Sequence, residues 1–196
     1  MSKSFDSETL NQVSKEYGGQ SEFFTPKVGD NKIRVLSGYE PLAKHWIIEK
    51  GKRISKVCFG KDKGCSYHTD KDLPLRVQFP LWILDRVDQK VKIFEPGYPF
   101  IKYLTDLKND EDFGYENLPD YDIKIKREGE GLETRYTYTP SAKKPLTDEE
   151  MNALMEKKDI TEIVEKMKNN EMEKAGGSEG IQQYPEDEIK TENIPY

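Results

Sequence analysis

The chain has only two cysteines and two histidines, and all four lie close together in sequence. His45, Cys58, Cys65 and His68 fall within 24 residues of a 196-residue chain. Two thiolates plus two imidazoles in a four-member set suit a tetrahedral zinc ion. Gly60 and Gly64 supply the turns such a knuckle needs, and Lys61 and Lys63 keep the surroundings of the thiolates positive. Four protein donors leave no coordination position for water, so zinc here would be structural. The other readings are two free thiols with two surface histidines, or a disulfide, which an intracellular setting disfavours. No further histidine remains to act as a general base, and no glycine-rich phosphate loop is present. The aspartates show no spacing that pairs two of them on one framework. No enzymatic activity is therefore expected. A zinc hydrolase would need an open coordination position.

The elements that must hold these residues are mostly strands. Residues 27–38 (KVGDNKIRVLSG) read as one strand, 44–48 (KHWII) as a second, and 53–57 (RISKV) as its hairpin partner. His45 thus sits on a strand, and the other three donors sit in a Gly-, Lys- and Asp-rich loop over 59–72 and at its edge. RVQFPLWILDR (76–86) alternates, with Val77, Phe79, Leu81 and Ile83 on one face and Gln78, Trp82 and Arg86 on the other. Pro80 argues for an edge or a bulge there. KVKIF (90–94) returns with Val91 and Ile93 inward and Lys90, Lys92 and Phe94 outward. Phe100, Ile101, Leu104 and Leu107 then follow helical spacing, and strands follow over 121–127 and 132–138. Strands, a helix and two more strands make the order of an OB-fold, a mainly β five-stranded barrel with a helix between strands three and four; a generic small β-sandwich is the alternative. Thr147 with the acids after it opens amphipathic helices outside the barrel, with stripes Met151, Leu154, Met155 and Ile160, Ile163, Val164, Met167. Packing against the barrel is the expected role of these stripes. The divisions expected are a flexible leader over 1–24, a barrel domain over 25–145, a helical extension over 146–174 and a disordered acidic tail over 175–196.

Charge is unevenly spread. The net charge is −6, but residues 1–144 carry +2 (25 Lys+Arg, 23 Asp+Glu) and residues 145–196 carry −8 (6 and 14). A basic centre with an acidic tail suggests a polyanion partner, or two solvated surfaces. Cations and aromatic rings interleave through the centre: Lys44, Trp46, Lys52, Arg53, Lys56, Phe59, Lys61, Lys63 and Tyr67, then Arg76, Trp82, Arg86, Lys92 and Phe94. They continue in Lys124, Lys126, Arg127, Arg135, Tyr136 and Tyr138. Single-stranded nucleic acid is bound by this pairing, with cations along the backbone and rings stacked on bases at about 1–3 kcal/mol each. Trp82 is the leading stacking candidate, because its strand face is otherwise polar and basic. Several of the other rings must be core.

The His–Cys–Cys–His run in a barrel of this order resembles the zinc-containing single-stranded DNA-binding (helix-destabilising) proteins of tailed phages. The likeness rests on the gap from His45 to Cys58, the knuckle Cys58–His68 and the strand pair RVQFPLWILDR and KVKIF, and covers roughly residues 25–140. It implies an OB-fold, zinc, and coating of single-stranded DNA in replication, recombination and repair. The sequence departs from that pattern at His68, where better-known members place a third Cys, and MSKSFDSETL lacks their basic arm. The end of the chain, PEDEIKTENIPY, is similar to the acidic tip of bacterial single-stranded DNA-binding proteins. There Glu186, Asp187, Glu188 and Glu192 would steer Ile194, Pro195 and Tyr196 into a basic-rimmed pocket of a replication or recombination protein. With no membrane span and no secretory signal, the expected location is cytoplasmic, in the host cell if phage-encoded. The competing function is a zinc-stabilised interaction adaptor or transcription regulator without strong DNA binding.

Overall fold

The computed structural model describes residues 22–68, 74–110 and 114–176. Their architecture is mainly β, in two sheets, with helices at the C-terminal side. The strands are β1 (Phe23–Phe24), β2 (Gly29–Tyr39), β3 (Leu42–Glu49), β4 (Lys52–Val57), β5 (Leu75–Gln78), β6 (Leu81–Asp85), β7 (Lys90–Phe94), β8 (Tyr121–Glu128) and β9 (Arg135–Lys143). Helix α1 (Tyr98–Lys108) lies between β7 and β8, and α2 (Asp148–Met155) and α3 (Ile160–Gly176) follow β9. No described helix is long and apolar enough to cross a membrane.

The larger sheet is mixed and runs β1-β7-β6-β2-β8-β9, so β1 and β9 are its edges. All its pairs are antiparallel except β1 with β7, where Phe23 faces Ile93 and Phe24 faces Phe94. The smaller sheet is β4-β3-β5. Its β3–β4 hairpin closes on Lys50 and Gly51, both at positive φ, which matches the twist of the flanking strands.

The stretch read as one strand over 76–86 is two. Pro80 has no N–H to give a ladder, and the chain changes sheet there, with β5 in the smaller sheet and β6 in the larger. Val77 consequently leaves the face it was assigned with Leu81 and Ile83 and is exposed.

The larger sheet buries one face along β2, β6, β7 and β8, and over β2, β6 and β7 it buries the other as well. One face closes over Ile33, Val35, Leu81, Ile83, Tyr121, Ile123 and Ile125, and α1 contributes Phe100, Ile101 and Leu104 to the same core. The other face carries Leu36, Trp82, Leu84, Val91 and Ile93, covered by Ile160, Leu154, Ile163 and Met167 from the C-terminal helices. The stripes of α2 and α3 therefore pack against the sheet, although Met151 and Met155 remain exposed. This double covering corrects the faces assigned to β6 and β7. Trp82, read as outward, is 4% exposed, and its indole Nε1 donates to the Lys158 carbonyl at 2.9 Å. Phe94, also read as outward, joins the α1-side core edge-to-face with Phe24 and Phe100. Val91 and Ile93 are buried as expected, but beneath the helices.

At the helix-covered face an ion cluster joins strands to α2. Asp122 of β8 accepts from Nε of Arg34 at 2.6 Å and from Nε of Arg86 at 2.9 Å, and Arg86 also pairs with Glu150. Arg34 is fully buried, so its charge needs this carboxylate.

Candidate functional site

The metal-ligating side chains come from two elements brought together by one backbone bond. The Cys58 amide donates to the Ala43 carbonyl at 2.9 Å, which lays the start of the loop beside the strand that carries His45. The loop then folds as two short 3-10 turns, Lys61–Lys63 and Ser66–His68. Gly60 and Gly64 take φ of 104° and 79°, conformations a side chain would strain. They let the Cys65 amide reach back to the Gly60 carbonyl at 3.1 Å, so the two sulfurs converge. The Sγ of Cys58 lies 3.0 Å from Nε2 of His68, and the Sγ of Cys65 lies 3.8 Å from Nε2 of His45. One donor atom from each of the four residues lies within 4.8 Å of every other. Edges of a tetrahedral zinc site with these donors run about 3.3–3.8 Å. His45, Cys58 and Cys65 are buried and His68 is half-buried, so the group is close enough together to hold a metal ion out of bulk water. Burial, and then the neighbouring His68, push the His45 imidazole below its ordinary pKa, which keeps it neutral and able to ligate. Burial pushes the Cys58 thiol up against the smaller opposing effect of the Gly60 amide, so a cation would be needed to hold it as thiolate at neutral pH.

The metal group occupies one face of the smaller sheet. Side chains alternate along β3, so His45 and Ala43 point one way while Lys44 and Trp46 point the other. Cross-strand register puts Arg76 opposite Lys44 and Gln78 opposite Leu42, on the Trp46 face. That second face forms part of a groove of about 880 Å3. The rest of its wall is Phe23 and Phe24 of β1, Phe94 and Glu95 at the end of β7, and Thr134, Tyr136 and Tyr138 of β9. The groove is thus bounded by both edges of the larger sheet and roofed by the smaller one. Tyr136 and Phe23 are 45% and 42% exposed, so rings are presented to solvent there. Arg76 is exposed and has no ion-pair partner among the described residues. Lys44 is 8% exposed and held by Glu95 at 2.5 Å.

Of the basic and aromatic residues singled out in the sequence, Trp46, Arg76, Phe94, Tyr136 and Tyr138 meet in this groove, with Lys44 beside them. The others lie elsewhere. Phe59 and Tyr67 pack on the metal group, and Tyr67 lies 5.6 Å from the His45 ring. Lys61 and Lys63 are exposed on the same loop, away from the Trp46 face, and Lys56, in register with His45, lies 4.0 Å from Glu171 of α3. Arg86 and Lys92 are engaged with acids, Lys92 with Asp85 at 2.8 Å. Together with the buried Trp82 they present no free cationic or stacking surface. Lys124 and Lys126 pair across β9 with Thr139 and Thr137, on the opposite side of the sheet from Tyr136 and Tyr138. Arg127 donates to the Pro26 carbonyl at 2.9 Å, and Arg135 is exposed opposite Glu128. Lys52 and Arg53 are placed by backbone alone, on β4. Glu186, Asp187, Glu188, Glu192, Ile194, Pro195 and Tyr196 lie outside the described residues, as does the leader up to residue 21.

Sequence reasoning missed Phe23, Gln78, Glu95 and Thr134 as groove residues. The apolar pair Phe23-Phe24 just before Pro26 was a readable strand signal; Glu95 and Thr134 reach the groove only through long-range pairing. No protein-family model matches the chain, and no curated protein matches it.

Proposed function

We propose that the chain is a single-stranded nucleic-acid-binding protein, built on an OB-type barrel and stapled by structural zinc. The observation that carries this reading is the groove that gathers Trp46, Tyr136, Tyr138 and Phe23 around the exposed Arg76. Flat rings beside a cation suit unpaired bases joined by phosphates, and stacking on such rings is indifferent to sequence. The barrel reading is supported by strand order. Taking β2, β6, β7, β8 and β9 as the five strands, α1 falls between the third and fourth, and the groove lies at the seam that barrel closure would join.

His45, Cys58, Cys65 and His68 would hold the zinc, whose contribution is structural, because four protein donors leave no site for a substrate or water. The protein does no bond chemistry in this reading. Its own residues hold β3 so that Trp46 faces the groove while His45 lies on the reverse side. In the cell this module would coat single-stranded DNA during replication, recombination and repair of the phage type, and the acidic C-terminus would recruit partner proteins.

The two tryptophans make the test direct, because Trp46 lines the groove and Trp82 is buried. In a Trp82→Phe background, oligo-dT should quench Trp46 emission, and affinity should fall with salt at a log–log slope of about 0.7 per phosphate contact. In a Trp46→Phe background, the remaining Trp82 signal should stay nearly constant. Equal affinity for duplex and single strands, or no binding of either, rejects the reading.

A further inference from the structure

Resting on that reading, we infer that Glu95 occupies the place of a phosphate on Lys44 and sets the affinity of the groove from within. Lys44 and Arg76 sit directly opposite each other on β3 and β5, facing the same side. Two like charges so placed repel each other, and a polyanion in the groove would be expected to bridge both. The structure gives them different states. Arg76 is open to solvent, whereas the Lys44 ammonium is almost sealed and bound by the Glu95 carboxylate at 2.5 Å. Glu95 follows directly on Phe94 and precedes Pro96, and all three line the groove wall. The carboxylate therefore stands among the rings, where ligand phosphate would otherwise reach Lys44. It neutralises a cation that burial would leave uncompensated, and it also withholds that cation from the ligand. The groove engages the nucleic-acid backbone through Arg76, with Lys44 silent, and the carboxylate adds a repulsion that keeps binding reversible.

The test is a double-mutant cycle in the full chain, read by oligo-dT titration across a salt series. Glu95→Gln should bind about eightfold tighter at 50 mM salt, with a log–log slope steeper by about 0.7, because one more phosphate contact is made. In the Lys44→Met background the slope change should vanish and the gain should shrink to the relief of carboxylate repulsion alone, because there is no ammonium left to release. Equal gains in both backgrounds would show a general charge effect and overturn the inference, as would an unchanged Glu95→Gln affinity. If Glu95→Gln is too unstable to titrate, Glu95→Asp pulls the carboxylate back by one methylene and should show a smaller gain of the same sign; no gain there overturns the inference equally. Failure of the unmodified protein to bind oligo-dT would instead reject the functional reading on which this one rests.

Discussion

Over β2, β6 and β7 the larger sheet is clamped between two apolar layers, one with α1 and one with α2 and α3, whereas the smaller sheet has almost no core of its own. The buried side chains grouped on its metal-bearing face are Cys58, Phe59 and Cys65, with Ala43 and Tyr67 partly buried against them. Its edge strand β5 leaves Leu75 and Val77 about half exposed. A three-stranded sheet with so little apolar burial is marginal in water. On the proposed reading, the difference lets one chain carry a rigid scaffold and an adaptable binding wall. The larger sheet is held by burial, and the smaller one has four donor atoms close enough together to hold a cation.

The strongest way to break that contrast is to take the metal away. The isolated protein should contain one zinc per chain. Chelation, or Cys65→Ala, should unfold the β3–β4 hairpin and its loop, because structural zinc supplies folding free energy of about 10 kcal/mol or more. Hydrogen exchange should then become fast at Trp46 and Ile47 and stay slow at Ile33, Ile83 and Ile123, which are fully buried in the larger sheet. Emission from Trp46 should shift, and that from Trp82 should not. Uniform loss of protection in both sheets would mean that the two regions form one cooperative unit.

The next largest effect should come from the ion cluster under α2. Asp122→Asn leaves the buried Arg34 without its carboxylate, and removing one member of a buried pair costs about 3–5 kcal/mol. Acid should act on the same group. Burial alone would raise the Asp122 carboxyl, but hydrogen bonds from Arg86 and Arg34 outweigh it and hold it below the usual 3.8. Glu150 is likewise held below 4.5, against burial, by Arg86 and the Thr147 amide. Groups depressed in this way stabilise the fold fully above their ordinary values, and that stability is lost as pH falls through the folded values. Denaturation midpoints should therefore be flat across neutral pH on this account and drop below about pH 4, and the drop should be smaller in Asp122→Asn. An identical acid profile in the variant would assign the loss elsewhere.

The contrast also explains what the sequence could disclose. The metal group was legible because rare side chains clustered locally, and because Gly60 and Gly64 marked the turns between them. Helix α1 was legible from the spacing of Phe100, Ile101 and Leu104. Alternation in β6 and β7 correctly separated two faces, but it says nothing about what covers each face. Trp82 was assigned a strand face with Gln78 and Arg86 and was read as a stacking ring, yet α2 and α3, beginning more than sixty residues later, fold over it. The groove was the least legible feature. Trp46, Arg76, Tyr136 and Tyr138 were each named, but nothing local indicated that these four meet while Lys124 and Lys126 turn to the other side. Sheet register decides that, and a one-residue slip would exchange the two sets.

The mildest perturbation sharpens the comparison at the boundary between helix and sheet. Thr147 caps α2 by accepting from the Glu150 amide, and the Glu150 side chain returns the bond to the Thr147 amide at 3.0 Å while also pairing with Arg86. Thr147→Ala should lower unfolding free energy by about 1 kcal/mol, the usual worth of such a cap. The loss belongs to the scaffold, so zinc content and oligo-dT affinity should match those of the unmodified protein, and only the thermal midpoint should move. A weakened affinity at full zinc occupancy would show that α2 reaches the groove through the larger sheet, and that scaffold and binding wall are mechanically one.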